Sequence, residues 1–212
     1  MNRSGDRIRI ESTADGQMGT NSYLVSDFET GDAVIIDAHM DPGQILELVA
    51  GSGRRVLAIL LTHTDFDHIA GLEALRAALG PLPIALHAAE WGTLAEGIPL
   101  RSEFPYPLPA MTGLEELAEG TRYVAGSLSF GVVHTPGHSP GGVTLEIERN
   151  LFSGDALFAG SIGRTDFSAS DPARLLESIR AKLMAYDDDY LVYPGHGVMT
   201  TIGQERRYNP HL

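Results

Sequence analysis

Four apolar stretches of this sequence each run directly into a polar segment that contains histidine or aspartate. The four stretches with their polar ends are LAILLTHTDFDH (57–68), FGVVHTPGHSPGG (130–142), LFSGDALF (151–158) and YLVYPGHG (190–197). Short apolar runs bounded by polar residues are typical of buried strands. Because the carboxyl ends of strands in α/β sheets form the edge where ligands commonly bind, we expect the four polar segments to meet in one site.

The titratable residues of these segments have the composition of a metal site. They are His63, Asp65, Asp67, His68, His134, Asp155 and His196. Imidazoles and carboxylates without any cysteine in the chain suit zinc, iron or manganese. A single histidine is more often a surface or core residue than a ligand, but four such clusters in one chain are improbable by chance. Since tetrahedral zinc takes only about four ligands, this set predicts two divalent metal ions that share a carboxylate.

Strand and helix patterns alternate along the chain and predict one α/β domain over residues 1–212. The apolar pattern predicts strands at 7–10, 22–26, 33–37, 56–61, 84–86, 127–134, 143–148, 151–153 and 190–193. Helices are predicted from Asp41-Pro42, over 68–79, and from Asp171-Pro172. Residues 97–113 contain four prolines and predict a long surface loop, in which Phe104 and Tyr106 could line a substrate pocket.

Charge and hydropathy restrict the partners of the chain. Lys and Arg total 15 against 28 Asp and Glu, a formal net charge of −13, which argues against binding to nucleic acid. The longest apolar run, 56–61, is far shorter than the ~20 residues that a membrane span needs. The opening residues MNRSGDRIRI contain no apolar stretch of a secretory signal. We therefore expect a cytoplasmic protein that acts on a small molecule.

The motifs of this chain resemble those of the metallo-β-lactamase superfamily. THTDFDH resembles the T-H-x-H-x-D-H signature of that family, and HTPGHSPGG, FSGDALF and YPGHG resemble its later ligand segments in the same order. The resemblance extends from about Asn21 to the C-terminal NPHL, and FAGSIGRTDF looks most like the short, single-domain glyoxalase-II-like hydrolases. It implies an α/β (α+β) fold, a four-layer αβ/βα sandwich of two mixed β-sheets with helices outside.

The resemblance also implies a role for each ligand. The first ion would be held by His63, His134 and the residue at position 65, the second by Asp67, His68 and His196, with Asp155 bridging the two. A hydroxide between the ions would attack a thioester, or another small ester or lactone. Asp67 would in addition act in catalysis, by orienting the nucleophile or relaying its proton.

Position 65 departs from the family pattern, because this chain has aspartate where the motif has histidine. Two divalent ions carry four positive charges, and three carboxylates with one hydroxide carry four negative ones, so the site would be neutral. The additional carboxylate weakens the Lewis acidity of the first ion and favours harder ions. Zinc is the favoured ion, with iron or manganese as alternatives because of Asp65.

Several alternatives remain open from the sequence. The same fold would support a persulfide dioxygenase with one non-haem iron held by His63, His134 and Asp155, or a metal-binding protein without catalysis. His138 is expected to brace its loop by hydrogen bonds rather than to bind metal. Arg164 and Asp166 would either clamp a substrate carboxylate or form an internal ion pair.

Overall fold

The architecture is that of a computed structural model, which describes residues 7–103 and 110–212. The predicted loop over 97–113 lies partly outside these residues, and Phe104 and Tyr106 lie entirely outside them. The described strands are β1 (Ile8–Ala14), β2 (Asn21–Asp27), β3 (Asp32–Ile36), β4 (Arg55–Leu60), β5 (Ile84–Leu86), β6 (Leu114–Glu116), β7 (Arg122–Ala125), β8 (Leu128–His134), β9 (Val143–Ile147), β10 (Asn150–Gly154), β11 (Leu157–Phe158), β12 (Ser161–Ile162), β13 (Leu191–Pro194) and β14 (Thr200–Thr201). The described α-helices are α1 (Pro42–Ser52), α2 (Phe66–Ile69), α3 (Leu72–Leu79), α4 (Trp91–Ala95), α5 (Pro172–Ala181) and α6 (Ile202–Tyr208).

The strands form two mixed six-stranded sheets and one short hairpin. The first sheet has the order β1-β2-β3-β4-β5-β6, with antiparallel pairing from β1 to β3 and parallel pairing from β3 to β6. The second sheet has the order β14-β13-β10-β9-β8-β7, in which only β10 and β13 pair in parallel. The hairpin is formed by β11 and β12.

Alternating side chains of β3 show how the layers stack. Val34 and Ile36 belong to the core between the two sheets, where Phe130 and Phe152 of the second sheet also lie. Ile35 points to the opposite side, into the core that the first sheet forms with α1 and α3. Because both faces of β3 are covered, its sequence is a continuous apolar run rather than an alternating one.

A third core lies on the outer face of the second sheet. Leu151 of β10 and Val192 of β13 pack there with Leu175 and Ile179 of α5 and Ile202 of α6. The order of layers is therefore helices, first sheet, second sheet, helices. This confirms the α/β class and the four-layer αβ/βα sandwich of two mixed sheets.

The helix starts follow the predicted capping residues, but one predicted helix is divided. Asp41 and Asp171 cap α1 and α5, each by accepting a backbone N–H from three residues further along the chain. The prediction of one helix over 68–79 is wrong, because the chain breaks at Gly71 into α2 and α3. A Cβ atom at Gly71 would lie 2.7 Å from the carbonyl oxygen of His39, so the close approach of two loops fixes this break.

None of the helices in residues 7–103 and 110–212 has the length and hydropathy required to cross a membrane.

Candidate metal centre

The carboxyl ends of strands from both sheets meet at one edge of the sandwich. The segment after β4 provides His63 and Asp65, and α2 provides Asp67 and His68. The loops after β8, β10 and β13 belong to the second sheet and approach from the other side. A backbone bridge between Thr20 and His196, with a 2.7 Å hydrogen bond from Asn21 N to Gly195 O, connects the two sheets there.

Three overlapping groups of side chains at this edge have candidate ligand atoms close enough together to hold a metal ion. The groups are His63, His68 and Asp155; His63, Asp65 and His138; and Asp67, His68 and His196. Within each group the candidate ligand atoms lie within 4.8 Å of one another. The structure therefore brings together six of the seven predicted ligands, and adds His138 to them.

Three buried atoms of this cluster have no hydrogen-bond partner. They are Nε2 of His63, Nε2 of His68 and Oδ1 of Asp155. Buried polar atoms in folded proteins are nearly always satisfied, so unsatisfied atoms at the centre of a ligand cluster fit a site for a metal ion. The opposite ring nitrogens are held in place: Nδ1 of His68 donates to Asp37 Oδ2 at 2.9 Å, and Nδ1 of His63 lies 3.0 Å from Thr62 Oγ1. This arrangement directs each Nε2 inwards, as in metal-binding histidines.

Asp155 lies between the other ligands. Its Oδ1 atom is 3.4 Å from His68 Nε2, and its Oδ2 atom is 3.4 Å from His196 Nε2 and 3.7 Å from His138 Nε2. Asp67 Oδ2 is 3.5 Å from His68 Nε2 and 3.3 Å from His196 Nε2. The carboxylate of Asp155 thus lies between His138, which belongs to one candidate group, and His68 and His196, which belong to another.

His138, rather than His134, is the histidine that the loop after β8 brings to the cluster. Its Nδ1 donates to the carbonyl oxygen of Arg164 at 2.7 Å, and its Nε2 lies 2.9 Å from Asp65 Oδ2. The backbone acceptor fixes the ring with Nε2 towards the other ligand atoms. His138 therefore makes the bracing hydrogen bonds that the sequence predicts and is also placed among the candidate ligands.

His134 lies outside the cluster, so the structure does not bring this predicted ligand together with the others. Its Nε2 donates to Pro140 O at 2.9 Å, and its ring stacks on that of His87 with 3.9 Å between the ring centroids. The physical reason is that His134 is the last residue of β8, whereas the loop must extend further to reach the edge. The turn residues Pro136 and Gly137, directly before His138, are the sequence signal for that reversal.

The pKa values of the cluster reflect close opposite charges in a buried environment. For His68, burial lowers the pKa, but the carboxylates of Asp67, Asp37 and Asp155 outweigh burial and raise it. Burial likewise lowers the pKa of His196, but its hydrogen bonds with Asp155 and Asp67 outweigh burial and raise the pKa to about 10. Raised pKa values favour the protonated imidazoles, so a metal ion that binds these residues competes with protons.

Asp65 is paired with an arginine that the sequence analysis did not identify. Arg101 has a side chain only 2% exposed, and its Nε donates to Asp65 Oδ1 at 2.6 Å while its Nη2 donates to Asp65 Oδ2 at 3.0 Å. Burial raises the pKa of Asp65, but the hydrogen bonds from His138 and Arg101 outweigh it and hold the pKa below its usual range. Arg101 lies far from any motif, so no spacing pattern could have indicated it.

Glu90 is a second residue that the sequence did not indicate. Its Oε2 accepts from the backbone N–H of Thr64 at 2.6 Å and from Thr64 Oγ1 at 2.7 Å, and its Oε1 accepts from the N–H of Gly141 at 2.8 Å. The buried carboxylate therefore ties the segment after β4 to the loop after β8. This contact fixes His63 and Asp65 relative to His138.

A cavity of about 540 Å³ opens onto the cluster. Its apolar wall consists of Met18, Met40, Phe66, Phe158 and Phe167. Arg164 also lines it and forms an ion pair with Asp166 (3.0 and 2.8 Å), with both side chains 66% exposed. The two residues are thus paired at the surface rather than in the interior, and a contact of Arg164 with substrate stays a prediction.

The sandwich and its edge cluster define a metal-binding αβ/βα protein. A family model for the metallo-beta-lactamase superfamily (Lactamase_B) matches residues 15–196. The chain belongs to this superfamily, which includes metallo-hydrolases. This confirms the resemblance that the motifs indicated.

Several characterised and solved proteins are similar to this chain. Hydroxyacylglutathione hydrolase GloC of Haemophilus influenzae is 33% identical over 204 residues, covering 91% of this chain and 92% of that protein. TTHA1623, solved in a di-iron-bound form, has a TM-score of 0.82 at 36% identity, covering 95% of this chain and 100% of the other. BLEG-1 B3 metallo-beta-lactamase has a TM-score of 0.83 at 34% identity (95% and 98% covered). ETHE1 from Myxococcus xanthus has a TM-score of 0.78 at 28% identity, covering 95% of this chain and 83% of the other.

Proposed function

We propose that this chain is a metal-dependent hydrolase that cleaves a thioester or another small ester or lactone. The observation that carries the proposal is the position of Asp155, whose carboxylate faces His138 on one side and His68 and His196 on the other, at the base of the cavity. A carboxylate placed in this way can serve two metal ions at once. The similarity to GloC supports a thioester as the substrate class.

The proposed ligands fall into two positions that share Asp155. The first position consists of His63, Asp65 and His138, and the second of Asp67, His68 and His196. Divalent ions there would supply an ionised water as nucleophile and a Lewis acid that polarises the carbonyl group. The imidazoles favour zinc, whereas the three carboxylates make iron or manganese the alternatives, in keeping with the di-iron form of TTHA1623.

The chain's own residues would position the reactants. Asp67 Oδ2 accepts from Thr20 Oγ1 at 2.6 Å, which leaves its carboxylate fixed beside the cluster, where it can orient a nucleophilic water and accept its proton. The apolar wall would receive the acyl part of the substrate and exclude bulk water. Arg164 lies at the cavity with its guanidinium over the ring of Phe167, 4.3 Å from the centroid, where it can contact a polar end of the substrate.

An assay of metal-reconstituted protein tests this function. We expect release of free thiol from a glutathione thioester, and weaker cleavage of a phenyl ester, a lactone and a chromogenic β-lactam. The Asp155→Ala variant should lose this activity together with bound metal, while Asp187→Asn, which changes an exposed carboxylate distant from the cavity, should retain both. Absence of hydrolysis across the panel in fully loaded protein would contradict the proposal.

A persulfide dioxygenase with one iron ion is the alternative function. An oxygen electrode with glutathione persulfide as substrate tests it on the same iron-loaded preparation. Oxygen consumption without thioester cleavage would establish this alternative in place of the hydrolase. We expect hydrolysis instead, because His196 and Asp67 complete a second ligand position that a site for one ion would not need.

A further inference from the structure

Both oxygens of Asp65 are already engaged by positively charged or polar partners. Oδ1 accepts from Arg101 Nε at 2.6 Å, and Oδ2 accepts from Arg101 Nη2 at 3.0 Å and from His138 Nε2 at 2.9 Å. A bidentate guanidinium–carboxylate pair is among the stronger and more geometrically defined polar contacts in proteins. Asp65 is therefore a poorer ligand for a cation than a carboxylate with a free oxygen.

Arg101 is held on its other side as well. Nη1 donates to Ser168 O at 2.7 Å and to Ser170 Oγ at 3.0 Å, and Nη2 also donates to His138 O at 2.8 Å. The guanidinium carbon lies 5.0 Å from the centroid of the Phe167 ring. Since every nitrogen of the guanidinium has an acceptor and the side chain is buried, its positive charge is fixed at this point.

The fixed charge lies beside one metal position and not beside the other. Arg101 Nη2 is 3.3 Å from Nε2 of His138, a ligand atom of the first position. At the second position, the described residues include no Lys or Arg that pairs with Asp67, whose ion-pair contacts are with His68 and His196. Arg101 therefore neutralises Asp65, so the first position lacks the net negative charge that Asp67 supplies at the second position. In a buried environment such a difference in charge is poorly screened and lowers the affinity for a divalent cation.

We propose that Arg101 makes the first position the weaker of the two metal sites, so that a chain with one ion carries it at the second position. The inference concerns the order and affinity of metal binding, and it rests on the metal-binding part of the proposed function. The loss of one net negative charge and of one free carboxylate ligand at the first position predicts affinities that differ by at least about 30-fold. Asp65 and Arg101 together would then cause the two positions to bind metal ions with unequal affinity.

Titration of chelator-treated protein with Zn²⁺ or Co²⁺ tests this inference by calorimetry, elemental analysis and, for Co²⁺, absorption spectra. The wild type should bind two ions in separate steps. His196→Ala should remove the tight step, and His138→Ala the weak one. Two steps of equal affinity in the wild type, or loss of the tight step in His138→Ala, would overturn the inference. Binding of no ion would instead contradict the proposed function.

The Arg101→Met variant tests the cause directly. It should tighten the weak step at least about 10-fold, since the carboxylate of Asp65 loses its partner, keeps its negative charge and becomes free to bind the cation. Arg149→Met, which removes an exposed arginine that does not line the cavity, is the control and should leave both steps unchanged. If Arg101→Met weakens the weak step or leaves it unaltered, Arg101 is not the cause of the difference in affinity between the two metal positions.

A second variant keeps the test decisive if Arg101→Met does not fold. Arg101 and Asp65 are a buried ion pair, so the removal of one partner alone leaves an unpaired charge. The double variant Asp65→His with Arg101→Met leaves no unpaired charge and replaces the engaged carboxylate by a free imidazole, so it should bind two ions with affinities within about 5-fold of each other. Circular dichroism shows whether each variant is folded. Steps that remain 30-fold apart in the folded double variant would contradict the inference.

Discussion

The carboxylate of Asp37 accepts a hydrogen bond from Nδ1 of His68 at 2.9 Å, and it also accepts from the backbone N–H and the hydroxyl of Thr62, each at 2.8 Å. Asp37 follows β3 and has a left-handed backbone with φ of 59°. This conformation is costly for a residue with a side chain and persists only where surrounding contacts impose it. The strained backbone therefore places one buried carboxylate behind both His63 and His68.

Replacement of Asp37 by asparagine should weaken metal binding at the second position about 10- to 100-fold. The amide cannot accept from His68 with the strength of a carboxylate, so the imidazole loses its fixed orientation and part of its basicity. Competition with a coloured chelator measures the affinity. Asp32→Asn, at the opposite end of β3, is the control: it removes an ion pair with Arg55 and should lower stability without any change in metal affinity. An equal loss of metal affinity in both variants would show that Asp37 affects metal binding only through the stability of the fold.

The two histidines of the loop after β8 should respond oppositely to substitution. His138→Ala should lose metal at the first position, whereas His134→Ala should keep its full metal content and lose about 1 kcal/mol of folding stability through the stacking contact with His87. Elemental analysis and thermal denaturation of both variants provide the comparison. Metal loss in His134→Ala with retention in His138→Ala would restore the assignment that the sequence alone suggested.

Gly195 should tolerate no side chain, because a Cβ atom there would lie 2.1 Å from Asp155 Oδ1 and 2.8 Å from His68 Cε1. Gly195→Ala should therefore displace the shared ligand, reduce bound metal at both positions and destabilise the fold by about 1–3 kcal/mol. Gly92→Ala in α4 is the matched control, since its Cβ would have no neighbour within 4 Å. Retention of both ions by Gly195→Ala would show that Asp155 can shift without loss of binding.

The metal-free protein should lose stability as the pH rises. The pKa of His196 is raised from 6.5 in its ordinary state to about 10, so the stability from its proton is fully present below pH 6.5 and is lost as the pH rises towards 10. Metal affinity at the second position should increase over the same range, because the proton and the ion compete for Nε2. Thermal denaturation of chelator-treated protein between pH 6 and 10 measures the first effect. The His196→Gln variant should show a shallower dependence, and identical profiles would exclude His196 as its source.

Features that depend on local pattern were predicted successfully. Asp41 and Asp171 indicated the helix starts, and four apolar runs with polar ends indicated the edge where the ligands meet. The same pattern failed at His134, because a run of apolar residues shows that a strand is ending but not how far its loop extends. The strand continues through His134, and only the following turn reaches the cluster.

Contacts between distant segments were beyond prediction from one sequence. Arg101 and Asp65 are 36 positions apart, and Glu90 and Gly141 are 51 apart, with no repeat or spacing that would connect them. Their pairing depends on how α4 and the segment after it pack against the loops of the second sheet. Asp65 could be recognised as unusual, but the cation that balances its charge appears only once the chain is folded.

The backbone bridge between Thr20 and His196 marks the line where the two sheets meet. His63 and His68 reach that line from the first sheet, and Asp155 and His196 reach it from the second. An ion bound there would connect the two sheets to each other, in addition to its part in catalysis. Loss of the ion should therefore loosen the sandwich at this margin first, so that amide hydrogen exchange near Asn21 and Gly195 reports metal occupancy directly.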